Sequence, residues 1–280
     1  MIRLPGRTAA VLALSTAASL LLGAGPASAD TSSSAATAAS VVLANGSVAS
    51  SGSYQAGHDG QTGTTSGNAA PALSVLGSQT LITSGALVQR AVARADGTSA
   101  ACAALVGSGG GISIGSDGTC TVAPGTGGVS IRLVGGVTPV DVLADAISSR
   151  CTATSAGVTT AGTTLANARV STAVAITLPG SPAAGASVSV PGVATLLLGG
   201  QTAPQGAGSV RVSALYVSLT TGPVRVDVAD STCGLNVATM PVPAVPLSGW
   251  AVVAGAVVVG WGVLARRWVR HRTVARALVA

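Results

Sequence analysis

The chain of 280 residues has no phenylalanine, no lysine and no glutamate, and only 2% of it is aromatic. Between positions 30 and 246 the sole aromatic residues are Tyr54 and Tyr216. A core without large rings has to be built from Val, Leu, Ile and Ala, each of which buries less area than an aromatic. Stabilisation per residue, at roughly 25 cal/mol per Å², is therefore low. The same scarcity counts against sites for sugars or single-stranded nucleic acid, which commonly use aromatic platforms. Metal ligands are also sparse. No C-x-x-C occurs and His58 is the only histidine of the body, which disfavours zinc. There is no D-x-D-x-D cluster for calcium, and nothing singles out two of the eight scattered aspartates as a glycosidase pair. No cofactor or metal is expected.

The net charge is +6, which by itself suggests nucleic acid as a partner. Position removes that reading. Seven of the 14 basic residues lie before residue 30 or after residue 265, whereas seven arginines and all eight aspartates lie between, leaving the body with one net negative charge. The terminal charges flank apolar runs, where basic residues act as topology signals.

At the N-terminus Arg3 and Arg7 precede an apolar stretch from Ala9 to Leu22, followed by Gly23, Gly25, Pro26 and Ala27-Ser28-Ala29. This is the layout of a secretory signal peptide, residues 1–29, cleaved at the small residues Ala27 and Ala29. Near the C-terminus, residues 247–265 are uncharged and about long enough to cross a hydrocarbon core as a helix. Trp250, Trp261 and Trp268 are the only tryptophans of the chain, and Trp250 and Trp268 fall near the ends of the run, where interfacial indoles belong. Arg266, Arg267 and three further arginines make residues 266–280 a basic cytoplasmic tail by the positive-inside rule. Residues 237–246 read as a proline-rich linker, and the body as extracellular. The linker, apolar run and arginines also have the three-part layout of a sorting signal, although LPxTG is absent.

Within the body, residues 30–51 are mostly Ser, Ala and Thr, too poor in apolar surface to offset ordering, so a flexible or partly ordered lead-in is expected. Residues 52–71 read as glycine-rich loop with one strand near Tyr54. From there to residue 236 short apolar segments alternate with turn residues, the rhythm of an all-β domain. Residues 86–95 suit either a strand or a helix. The clearest element is a hairpin of residues 209–219 and 224–229, in which period-two alternation puts Val210, Val212, Ala214 and Tyr216 on one face and Arg211, Arg225 and Asp227 on the other. Four cysteines, Cys102, Cys120, Cys151 and Cys233, form an even set that suits two disulfides outside the cytoplasm and allows three connectivities. The favoured pairing is Cys102 with Cys120 and Cys151 with Cys233, because Asp145 to Cys151 and Asp227 to Cys233 both read as strands running into a cysteine.

The stretch from Ser148 to Gly234, with SSRCTATSAG, the VPGV at 190–193, VSALYVSL and VADSTCG, resembles the choice-of-anchor P family of actinobacterial surface proteins. The resemblance covers the second half of the body and rests on a cysteine-bracketed β pattern. It implies an exported, anchored protein of unassigned activity.

Two short patterns look chemical. Gly111-Ile-Ser113-Ile-Gly115 matches the G-x-S-x-G nucleophile elbow, but that elbow joins a strand to a helix with Asp and His following. Here Ser113 precedes a turn pair, Asp117-Gly118, and reads as the outward residue of a strand. His58-Asp59 pairs a base with an acid, but neighbours in a strand face opposite sides.

The expectation is therefore an all-β, antiparallel, sandwich-like ectodomain of short strands over residues 52–236, plus a single C-terminal transmembrane helix. Its expected role is structural or interactive at the bacterial envelope, without enzymatic activity. Its partners would be the membrane, through one span, and a cell-envelope protein or polymer, but not nucleic acid. The alternatives are an envelope hydrolase using Ser113 or His58, or a binding module for a cell-wall component.

Overall fold

A computed structural model of the chain describes residues 30–238 apart from 61, 65–67, 78, 135–139 and 221. The expected signal peptide with Ala27 and Ala29, the transmembrane segment with Trp250 and Trp261, and the tail with Arg266 and Arg267 lie outside the described residues. Among the described residues, no helix is long and apolar enough to cross a membrane.

The described chain is all-β and antiparallel. Its first half forms β1 (Thr31–Val42), β2 (Val48–Ser50), β3 (Tyr54–Asp59), β4 (Gly63–Thr64), β5 (Asn68–Ala69), β6 (Ile82–Ser84), β7 (Ala86–Ala93), β8 (Ser99–Val106), β9 (Gly111–Ile114) and β10 (Cys120–Ala123). Its second half forms β11 (Val129–Val134), β12 (Val140–Ala144), β13 (Ala146–Ala153), β14 (Thr159–Ala166), β15 (Arg169–Ser171), β16 (Ile176–Thr177), β17 (Ala186–Val190), β18 (Ala194–Thr202), β19 (Val210–Leu219) and β20 (Arg225–Cys233). The one helical element among the described residues is a 3₁₀ turn at Leu73–Leu76.

The largest sheet has eight strands, ordered β17-β18-β19-β20-β1-β3-β4 with β2 added beside β1. Its strands β1, β3, β19 and β20 pack on β7, β8, β13 and β14 of a five-stranded sheet ordered β14-β13-β8-β7-β5. A second five-stranded sheet, β16-β15-β12-β11-β6, continues the first, because β12 runs into β13 across Asp145 and β14 into β15 across Asn167 and Ala168. Strands that switch sheets at such corners are how stacked sheets turn. The hairpin β9–β10 forms a separate two-stranded sheet.

Between the large sheets lies one apolar cluster of Val, Leu, Ile and Ala, including Val41, Leu87, Leu105, Ile131, Ile147, Leu165, Leu196, Leu198, Leu215 and Val228. Every residue of β8, SAACAALV, is buried. One of its faces meets the large sheet, and the other is covered by the β9–β10 hairpin through Cys102, Ala104, Val106 and Ile112. Alanine at these positions lets two layers approach a strand from both sides, which a ring would prevent.

The disulfides join Cys102 to Cys120 and Cys151 to Cys233, as the sequence favours, with Cα atoms 6.1 and 5.8 Å apart. They have different tasks. Cys102–Cys120 ties the hairpin to the outer face of β8, whereas Cys151–Cys233 crosses the core from β13 to β20. Buried polar groups between the sheets are paired. Ser149 and Ser231 hydroxyls meet at 2.7 Å. The Asn236 amide donates to the Ala153 carbonyl at 2.8 Å and the Gly97 carbonyl at 2.9 Å, while its oxygen accepts the Ser33 N–H at 3.1 Å.

The structure corrects three expectations and settles a fourth point that the sequence left open. Residues 30–51 are not a flexible lead-in: β1 is a twelve-residue strand between β20 and β3, and its alternate residues Ser32, Ser34, Ala36 and Ala38 are buried. Small side chains suffice there because the opposing sheet comes close enough for Ser32 and Ser34 to donate to the Arg94 and Val92 carbonyls. The domain thus begins before residue 52. Nor does it end at 236, because Val237 exchanges backbone hydrogen bonds with Thr31 at 3.0 and 3.1 Å. Residues 52–71 contain three short strands rather than one. Residues 86–95, open between helix and strand, form β7, where pairing with β8 overrides helix propensity.

Candidate functional site

Four neighbouring strands of the large sheet break their in–out alternation at one row. In β1 both Ala38 and Ala39 are buried, in β18 Leu198 and Gly199, and in β19 Ala214 and Leu215. In β20 burial moves from Val226 and Val228 to Ser231 and Cys233. The pairing register omits Ala38, Gly199, Ala214 and Ala229 alike, so the irregularity runs across the sheet. Gly199 at φ +61° and Ala229 at φ +57° supply the left-handed turns it needs. Alanine at such an angle is strained by about 1–2 kcal/mol. On β1 the freed Ala38 N–H is taken by the buried Gln89 side chain at 2.9 Å.

The break decides which residues reach the outer face. Without it Asp227 and Asp230, three apart, would point to opposite sides of β20. With it they share one side: Tyr216 stands opposite Asp227, and Ser213 opposite Asp230. This corrects the expected placement of Tyr216 with Val210 and Val212. The strand reads V-S-A-L-Y-V, and the consecutive apolar pair Ala214-Leu215 is the visible trace of the shift.

The result is a depression of about 390 Å³ lined by Gly185, Leu197, Gly200, Gln201, Thr202, Arg211, Ser213, Tyr216 and Asp227. Arg211 donates from Nε to Asp230 Oδ2 at 2.7 Å and from Nη2 to the same oxygen. Its Nη2 is 4.0 Å from Asp227 Oδ2. The Ser213 hydroxyl donates to Asp227 Oδ1. The Asp230 side chain retains 10% of its exposure and Arg211 51%, so the cation is rooted in the sheet with its head half in solvent. Burial pushes the Asp227 carboxyl above the usual carboxylate range, and Asp230 adds to the effect. The Ser213 hydrogen bond and Arg211 oppose it.

The residues singled out from sequence do not assemble. Ser113 lies on an exposed position of β9 opposite Thr121, before a turn in which Asp117 accepts the Thr119 N–H at 2.9 Å. A strand-to-helix elbow is not formed. His58 belongs to β3 of the eight-stranded sheet, and its Nδ1 accepts the Gly60 N–H at 3.1 Å. Asp59 accepts the Thr62 N–H at 2.7 Å, so histidine and aspartate shape one turn. Among the described residues no group of three or more His, Cys, Asp or Glu side chains is placed to hold a metal ion.

Comparison with family models, with curated proteins and with solved structures returned no match.

Proposed function

We propose that the chain is an exported, membrane-anchored surface protein of the choice-of-anchor type, whose disulfide-stapled β-sandwich ectodomain serves a structural or interaction role at the envelope. The observation that carries this reading is the pair of disulfides, with no free cysteine among the described residues. Such cross-links persist in oxidising compartments and are rare in the cytosol. Thr31 and Val237 pair with each other, so the described body begins and ends at one end of β1 in the large sheet. The turn at residues 43–47, the end of β19 and the start of β20 stand at the opposite end of these strands.

Protease shaving of intact cells, followed by mass spectrometry, tests the topology. Peptides from residues 30–238 should be released while the arginine-rich tail is spared. Release of the tail with protection of the body would overturn the orientation. Intact mass separates a permanent span from sorting: a C-terminus between Pro241 and Gly249 would replace the span by a cleaved signal.

A further inference from the structure

We infer that the depression around Tyr216 and Asp227 is a binding site for a neutral, hydroxyl-rich ligand, one or two units of a saccharide chain. The argument rests on what the lining offers and what it repels. Its acceptor is the Asp227 carboxylate, and its donors are the half-exposed Arg211 guanidinium and the Gln201 and Thr202 side chains. Tyr216 and the exposed Leu197 face each other across β18 and β19 and supply an apolar patch. The volume falls within the range of about 300–1,000 Å³ typical of small-molecule sites.

An anion entering here meets Asp227 with Asp230 beneath it. A cation finds a net charge of only minus one, because Arg211 is paired with Asp230 and stands 4.0 Å from Asp227, so that a cation reaching Asp227 also meets the guanidinium. A purely apolar ligand would strip water from both charges without replacing its hydrogen bonds. A sugar ring has none of these penalties. Its hydroxyls donate to Asp227 and accept from Arg211 at once, and its C–H face suits the Tyr216–Leu197 patch.

The construction of the site points the same way. A four-strand break in alternation, with Ala229 in a strained left-handed conformation, brings Asp227, Asp230, Tyr216 and Ser213 to one side. Strain of this kind collects where a side chain must be re-aimed. Holding Asp227 partly desolvated and at 4.0 Å from Arg211, rather than in full contact, leaves its carboxylate with capacity for an incoming donor. Arg211 is committed to Asp230 and acts as the fixed wall of the site.

This inference rests on the interaction role proposed above, and the test separates the two. Full-length protein in a non-glycosidic detergent is titrated calorimetrically with chitotetraose, maltotetraose, cellotetraose and mannotetraose, and with trigalacturonate and spermidine as charged comparators. At least one neutral oligosaccharide should bind, and Asp227→Asn and Tyr216→Ala should each weaken it tenfold or more. Arg150→Ala, in a depression between the β9–β10 hairpin and strands β13 and β14 that Thr121 and Thr164 also line, should leave it unchanged. Circular dichroism verifies that each variant is folded, and Ser213→Ala, which removes one hydroxyl, replaces any that is not. Binding by spermidine or trigalacturonate alone overturns the ligand class. Sugar binding that survives both Asp227→Asn and Tyr216→Ala overturns the location, and failure of all four sugars overturns the inference. Shaving that finds the body inside the cell would overturn the anchored reading and leave a measured sugar affinity standing.

Discussion

The two faces of the eight-stranded sheet are made by the same strands, yet one face is chemically uniform and the other is not. Inward, β18, β19, β20 and β1 present Leu196, Leu198, Val212, Leu215, Val217, Val226, Val228 and Val41 to the core. Outward, the same strands bring Arg211, Ser213, Tyr216 and Asp227 to one depression. The inner face needs only volume and apolarity, which Val, Leu and Ala supply interchangeably. The outer face needs particular residues at particular positions, and it obtains them by breaking the alternation the inner face would otherwise impose. Regularity therefore marks the load shared by the core, and irregularity marks the place where side chains have been re-aimed.

The comparison can be broken most severely from inside. Replacing Cys151 and Cys233 together by alanine removes the link between the sheets, whose loop spans 82 residues, and should cost about 4.5 kcal/mol in the chain-entropy account. Urea denaturation of the full-length chain measures it. Leu215→Ala should cost about 2–5 kcal/mol, whereas its neighbour Tyr216→Ala should cost less than about 1 kcal/mol. Simple alternation would rank them the other way, so a larger loss at Tyr216 would remove the break in β19. Replacing Cys102 and Cys120 together, with a separation of 18 residues, should cost about 3 kcal/mol. Because that link holds the hairpin to β8, hydrogen exchange should rise in β9 and β10 first.

The smallest effect has the opposite sign. Burial raises the Asp227 carboxyl in the folded protein, so the folded state holds its proton to higher pH than the unfolded chain. Stability contributed by the protonated group is full below the ordinary carboxylate value near 3.9 and is lost as pH rises through the higher folded value. Asp227→Asn keeps an acceptor for Ser213 and removes the buried charge. It should raise Tm slightly at pH 7, with the gain vanishing below about pH 4. A variant that is more stable yet binds no sugar would sharpen the contrast between faces, because the charge would then serve the outer face at the expense of the fold.

Much of the strand pattern was legible because apolar alternation and turn residues are local signals. The hairpin β19–β20 and the turn at Asp117-Gly118 follow from spacing, and the sequential disulfides were favoured among three pairings because two strands each run into a cysteine. Strand β1 was not legible. Its TSSSAATAAS lacks apolar surface, and it is ordered only because β20, β3 and the opposing sheet supply backbone partners and acceptors for its serines. The site was less legible still, since Ser113 and His58 carry the recognisable patterns while Tyr216 and Asp227 carry the geometry.

By itself the sequence determined the all-β class, the basic ends that flank apolar segments, the aromatic-poor core and the cysteine set, because composition and period-two spacing act over a few residues. Only the tertiary structure decided that β1 joins the large sheet, that Val237 closes against Thr31, and that Asp227 and Asp230 share a face with Tyr216. Those outcomes depend on register between strands far apart in the chain, and on a row of breaks at Ala38, Gly199, Ala214 and Ala229 whose alignment across four strands only the fold sets.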